Sequence, residues 1–239
     1  MPSILKDKIN YEVMGKNEWR HASSLARMHN NVLTFYLTNT KTGNYYQLSL
    51  KKPAKAAFLE QEVNLADRTT SNNNDYYPFP IIERQTDTTS GLFFISEPFS
   101  EPVSIDGMFE GELKASINKQ DMDIGIALFE IMPDGRYFHL SYYMGRASYS
   151  KDMSKRKLLT PGKVELISFD RTRMVCRQLS KGSRLLVVLD INKNSSAQVN
   201  FGTGKDVSHE TTEDGKVPLQ IKWYNDSVIK IPVWKDKAP

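Results

Sequence analysis

The sequence predicts an all-β protein, an antiparallel β-sandwich, and three observations carry that expectation. Short runs rich in Val, Ile, Phe, Tyr and Leu recur along the 239 residues, bounded by Gly, Pro, Asn or Asp, which is the pattern of strands separated by tight turns. No stretch sustains the apolar stripe that a helix needs to cover a sheet. Pro133-Asp134-Gly135, between two of the runs, presets φ at the first corner with proline and offers glycine for a positive φ, which closes a β-hairpin. Strands without crossover helices pair antiparallel. Two packed sheets with Greek-key or jelly-roll connections bury them at this length.

In chain order, the first strand runs are 33–37, 45–50, 92–96 and 112–117. Residues 124–131 and 137–143 flank the Pro133-Asp134-Gly135 turn, and Pro161-Gly162 closes a polar loop that begins near Ser148 and leads into 164–169. Lys181-Gly182 turns the chain into 184–191, Asp214-Gly215 precedes 219–224, and 228–233 ends the series. Residues 23–28 and 54–63 are the two short helix candidates. These elements divide the chain into an irregular amino-terminal extension with a few strands, 1–90, and a β-sandwich, 91–239. The extension ends in a turn-rich stretch, 67–91, that includes Ser71-Asn72-Asn73-Asn74-Asp75. A loop of that length in a compact domain is usually an interface, a functional loop or disordered.

The composition restricts the chemistry. The 32 basic and 28 acidic residues interleave, giving a net charge of +4 and only a weak field. The densest basic stretch, 151–157, also holds Asp152 and lacks interleaved aromatics, so no nucleic-acid partner is expected. The longest apolar run, 185–189, is strand length, so no membrane partner is expected either, and the first residues lack the apolar stretch of a signal peptide. Cys176 is the single cysteine, which excludes an intrachain disulfide and a cysteine-built zinc site and reads as a buried strand residue.

A serine hydrolase needs its nucleophile on a strained turn of the form Gly-x-Ser-x-Gly, and that motif is absent. His139 with Ser141, and His209 with Ser208, are the nearest approaches, and ordinary core or surface positions account for them. The spacing of His21, His29, His139 and His209 fits no zinc motif. Asp121-Met122-Asp123 lacks the further ligands of a calcium loop and reads as a hydrogen-bonded connection between strands. Gly202-Thr203-Gly204 is too short for a phosphate cradle. No catalytic residue, metal or cofactor is therefore expected. The candidate surface residues are aromatic: Tyr76, Tyr77 and Phe79, stiffened by Pro78 and Pro80, together with Trp19 and its neighbour Arg20. Such rings either pack on a neighbouring domain or bind sugar or peptide.

A series of short strings is more informative taken together than singly. Leu92-Phe93-Phe94-Ile95-Ser96-Glu97-Pro98-Phe99 is followed by Ile105-Asp106-Gly107, Leu113-Lys114-Ala115-Ser116, Asp121-Met122-Asp123-Ile124 and Glu130-Ile131-Met132-Pro133-Asp134-Gly135. Met144-Gly145-Arg146-Ala147, Leu159-Thr160-Pro161-Gly162, Lys181-Gly182-Ser183-Arg184-Leu185, Asn200-Phe201-Gly202-Thr203-Gly204 and Tyr224-Asn225-Asp226 continue it. In order and spacing this series resembles the carboxy-terminal region of the Xaa-Pro dipeptidyl-peptidase and cocaine-esterase-like serine hydrolases. The segment from Tyr11 to Arg20 resembles the exit from that family's catalytic domain. Ser183 and Asn225 depart from the family, standing where histidine is common.

The resemblance implies a jelly roll of the galactose-binding-domain-like type that lacks the α/β-hydrolase domain where the catalytic serine, aspartate and histidine lie. It implies a non-catalytic accessory role. The partner would be an α/β-hydrolase catalytic domain, upstream in the same polypeptide or on a separate chain, with a further role in homo-oligomer contacts. Trp19, Arg20, Tyr76, Tyr77 and Phe79 would meet that partner. The alternative is a free-standing β-sandwich that binds carbohydrate or peptide.

Overall fold

In the computed structural model, residues 5–71, 80–86, 90–194 and 197–236 are described. The strands are β1 (Ile9–Val13), β2 (Glu18–Ala22), β3 (Asn31–Thr42), β4 (Tyr45–Ser49), β5 (Phe58–Val63), β6 (Ile82–Glu83), β7 (Leu92–Ser96) and β8 (Val103–Gly107). They continue as β9 (Glu110–Ile117), β10 (Asp123–Ile131), β11 (Tyr137–Arg146), β12 (Glu165–Phe169), β13 (Val175–Leu179), β14 (Arg184–Ile191), β15 (Leu219–Tyr224) and β16 (Val228–Trp234). Helical structure among the described residues is confined to short 3-10 turns such as Leu25–Arg27.

Strands β1 and β2 form a separate hairpin, and the rest join one wrapped sheet in the order β5-β15-β9-β16-β3-β4-β7-β14-β10-β11-β6, with β12 on β9 and β13 on β8. The wrap turns at β3, whose first half pairs with β16 and whose second half pairs with β4. Strands β15 and β16 together run antiparallel to β9, Ile221 facing Ile117 and Val228 facing Glu112. Ser227 secures the kink between them, donating to the Tyr224 carbonyl at 2.7 Å and accepting from the Lys114 N–H at 2.9 Å.

One continuous core fills the space between the two sides of the wrap. Phe35, Leu113, Ile167, Ile221 and Ile229 meet Leu48, Phe94, Ile126, Leu128 and Val187 within it, all buried. Each such side chain contributes about 1.5–3 kcal/mol by leaving water. The all-β sandwich expected from the sequence is thus present. The Pro133-Asp134-Gly135 turn forms as its chemistry requires, with Gly135 at φ 83° and its N–H donating to the Met132 carbonyl at 2.9 Å.

Three expectations change. Pairing is not wholly antiparallel: β4 and β7 run parallel, Tyr46 opposite Phe94. The residues between those two strands are numerous enough for the crossover that a parallel pair needs. Residues 54–63 do not form a helix; their second half is strand β5, paired along its length with β15, because alternation of exposed Phe58, Glu60 and Glu62 with more buried Leu59, Gln61 and Val63 fits a strand with one face inward. Finally, residue 90 does not mark a break in the fold. Strands β3, β4 and β5 belong to the wrapped sheet, and Phe35, Leu37, Leu48, Val63 and Leu65 belong to the main core. They cover edges of β15 and β16 that a sandwich beginning at residue 91 would leave open.

Candidate docking face

The β1–β2 hairpin is the part of the molecule outside the wrapped sheet, and its local chemistry explains how it is held. Its turn uses Gly15 at φ 84° and Asn17 at φ 56°, with the Asn17 N–H bonded to the Val13 carbonyl at 2.8 Å. Asn tolerates that left-handed conformation better than most residues. Gly15 is also required by contact, since a Cβ there would lie 2.9 Å from the Gln178 carbonyl oxygen. The turn extends the edge of β13: Met14 N–H donates to Cys176 O at 3.0 Å and Gln178 N–H donates to Met14 O at 2.8 Å. Beneath it Tyr11, Val13, Ala22 and Met28 form a small second core that reaches Cys176.

Adjacent residues on a strand face opposite ways, and this separates Trp19 from Arg20. Trp19 is 48% exposed. Arg20 turns inward, where its guanidinium pairs with the fully buried Asp106 and donates to Ser104 Oγ at 3.1 Å. The same guanidinium lies 5.3 Å from the centre of the Trp234 ring, within range of a cation–π contact. Asp236 accepts from Trp234 Nε1 at 3.1 Å and from Lys16 Nζ at 3.2 Å, so the end of β16 is fastened to the hairpin turn.

The electrostatics of this cluster follow from burial. Asp106 Oδ2 is held by Arg20 and by Ser104, while Oδ1 has no hydrogen-bond partner. Burial raises the Asp106 pKa, and the Arg20 charge opposes that rise. Cys176, opposite Asp106 in the β8–β13 register, has its thiol pushed up to about 12, first by burial and then by the Asp106 charge. A thiol held protonated in this way is a packing residue, as the sequence suggests, and not a nucleophile. Tyr11 is likewise pushed up to about 12, chiefly by burial.

Beside the hairpin runs an open groove of about 670 Å³, lined by Leu33, Leu50, Phe99, Val103 and Trp234 and rimmed by Lys16 and Asp236. Leu50 is 57% exposed at its edge. Of the residues singled out from the sequence, the structure brings Arg20 beneath the hairpin, against Asp106 and the Trp234 ring, and Trp19 to the outer face of the same hairpin. Tyr76, Tyr77 and Phe79 lie outside the described residues. Sequence reasoning missed Trp234 and Asp106. Asp106 sits in the Ile105-Asp106-Gly107 string, but a carboxylate anchoring an arginine 86 positions away leaves no local trace.

The other candidates resolve into structural roles. Ser141 Oγ donates to the Arg173 carbonyl, and His139 is packed between Phe129 and Tyr142 at ring separations of 4.9 and 6.2 Å. Ser208 lies in the 3-10 turn Val207–His209 that Asp206 caps, its hydroxyl donating to Asp206 Oδ1 at 2.7 Å. Asp121 accepts from the Ser148 N–H and hydroxyl and from Arg156, at 3.0, 2.7 and 3.0 Å. Asp123 takes both arms of Arg146, at 2.8 and 3.0 Å, and the Asn200 amide at 2.9 Å. Their oxygens are occupied by protein donors, and among the described residues no group of three His, Cys, Asp or Glu is placed to hold a metal ion. No helix among them is long and apolar enough to cross a membrane.

Comparison with known proteins places this architecture. The fold is that of part of an aminopeptidase from the marine sediment archaeon Thaumarchaeota archaeon, with TM-score 0.79 and 18% identity, covering 96% of this chain and 40% of that one. An alpha-amino acid ester hydrolase matches with TM-score 0.77 and 20% identity over 94% of this chain and 40% of its own. A CocE/NonD family hydrolase from Staphylococcus aureus matches with TM-score 0.61 and 13% identity, again over 94% and 40%. The chain thus spans about 40% of the length of these structures. No curated protein matches it in sequence. Residues 5–223 match the model of the X-Pro dipeptidyl-peptidase C-terminal non-catalytic domain, and the chain belongs to that family of non-catalytic domains.

Proposed function

We propose that this domain serves a serine hydrolase of dipeptidyl-peptidase, acylase or esterase type, packing on an α/β-hydrolase catalytic domain and helping to wall its substrate pocket or to hold its oligomer. The observation that carries this reading is that residues 5–223 match a non-catalytic domain while the chain covers 40% of structures named as aminopeptidase and ester hydrolase. The β1–β2 hairpin and the groove beside it, and not residues 1–90 as a unit, are the part assigned to that contact. Trp19 and Leu50 are exposed apolar side chains there, and tryptophan is among the residues that most often carry the energy of a protein interface.

The test is turnover and association together. Purified chain is assayed with aminoacyl p-nitroanilides and short acyl esters, where it gives no rate above background. The full-length hydrolase carrying Trp19→Ser and Leu50→Ser is then compared with its parent for turnover and sedimentation. Turnover by the isolated chain that a serine-directed reagent abolishes overturns the reading, as does full-length enzyme whose turnover and assembly ignore both substitutions.

A further inference from the structure

A second groove lies on the open side of the sandwich, away from the hairpin, where the wrapped sheet does not close. Its volume is about 700 Å³, and it separates Tyr143–Arg146 of β11 from Ser168–Arg171 at the end of β12, with residues 149–154 across one end. We propose that it binds a short extended peptide, added as a strand to the edge of β11.

The backbone of β11 supplies the first argument. Tyr142 O accepts from the Arg173 N–H, so the Tyr142 carbonyl points away from β10. The pairing from Ile126↔Tyr143 to Asp123↔Arg146 is regular, and in a regular antiparallel pair the direction of N–H and C=O alternates. Met144 and Arg146 therefore also direct their backbone groups away from β10. Strand β6 pairs with β11 only at Tyr137 and Phe138, and no strand among the described residues reaches Met144 or Arg146. Their groups, about 6.8 Å apart along the strand, match the repeat of an extended peptide, which adds to an open sheet edge through main-chain hydrogen bonds.

The side chains supply the second. Tyr143 lies flat along its own strand over Gly145: a Cβ at 145 would sit 2.0 Å from the Tyr143 hydroxyl oxygen. The far side of the Tyr143 ring region packs on Phe169 at 4.8 Å between centres. An aromatic floor results, and only glycine at 145 permits it. At its edge Met153 is 59% exposed, an unbranched thioether that adapts to varied apolar side chains, while Met144 joins the site through its backbone. Asp152, Asp170 and Arg171 stand at the rim. The volume falls in the range of about 300–1,000 Å³ typical of small-ligand sites, which is room for a few residues of extended peptide. The inference stands independently of the hydrolase reading.

The experiment is titration of ¹⁵N-labelled chain with a pool of blocked apolar pentapeptides, followed by amide chemical shifts, with maltooligosaccharides as the competing ligand class. The expected result is saturable shifts confined to residues 143–154 and 168–171. Met144→Pro removes an edge N–H that takes no part in the β10–β11 ladder, a position where proline is tolerated, and weakens binding by up to about tenfold, the loss of one net hydrogen bond. Met153→Arg, on an exposed loop, is the second variant and weakens binding without risk to the sheet. No saturable shift at millimolar peptide, shifts centred elsewhere, saturation by the oligosaccharides in place of peptide, or binding indifferent to both variants each overturns the proposal.

Discussion

Arg20→Ala tests how the hairpin is held. The perturbation leaves Asp106 without its counter-charge at a position of 0% exposure, with Oδ1 already lacking a partner and only Ser104 Oγ, 3.2 Å from Oδ2, remaining. Removing one member of a buried ion pair costs about 3–5 kcal/mol because the other charge stays desolvated, and Arg20 is itself only 12% exposed. With a urea slope of about 3 kcal/mol per M, suited to a domain of this size, the unfolding midpoint falls by roughly 1–2 M. The loss should appear first as opening of the hairpin from β13, since the second core is small and separate. Cys176, otherwise a partly buried and protonated thiol, then reacts faster with a thiol reagent in the native baseline, before global unfolding.

The pH dependence follows from the sign of the Asp106 shift. Its folded pKa is raised by burial, so the fold favours the protonated carboxyl. That contribution is complete below the unfolded value of about 3.9 and is lost as pH rises through the folded pKa. Without Arg20 the folded pKa rises further, so the variant is most destabilised at neutral pH and recovers towards wild type as pH falls. Arg20→Met combined with Asp106→Leu removes both charges and restores most of the loss. A midpoint within about 0.3 M of wild type, with Cys176 no more reactive, refutes the argument.

Three further outcomes are expected. His139 has its pKa lowered to about 4 by burial, so its contribution is present above the unfolded value near 6.5 and is lost as pH falls towards 4. That is about 3 kcal/mol at full range, and His139→Phe, read by urea midpoints at pH 4.5 and 7.5, flattens it. Gly111→Ala places a Cβ 2.5 Å from the Val228 carbonyl oxygen and 2.7 Å from the Phe169 ring, which costs about 1–3 kcal/mol and lowers the melting temperature; an unchanged value contradicts the β9–β16 register. Asp121→Ala strips the acceptor from Ser148 and Arg156 and, with Arg156 partly solvated, costs about 2–3 kcal/mol in the same unfolding assay.

What was legible in the sequence was what short-range chemistry dictates. Pro133-Asp134-Gly135 turns where proline and glycine require it, and the runs at 124–131 and 137–143 that it joins become β10 and β11. The helix expected over 54–63 failed for a non-local reason: Ala54, Ala56 and Ala57 favour a helix weakly, but the backbone of β5 is claimed by β15, more than 150 positions along the chain. Propensity decides only where pairing does not.

The candidate site shows the same limit more sharply. Trp19 and Arg20 are neighbours in sequence and look like one surface feature, yet the strand turns one outward and the other onto Asp106. Which of the two faces solvent depends on the register Tyr11↔Arg20 and Glu12↔Trp19 and on where β8 lies beneath the hairpin. Neither fact is encoded near residue 20. The consequence bears on function: a closed cluster of Arg20, Asp106, Tyr11 and Cys176, with its thiol and phenol held protonated, is suited to fixing a surface and not to turning over a substrate. In the proposed docking role, contact with a partner would then rest on the exposed groups this cluster holds in place, Trp19 on the hairpin and Leu50 beside it.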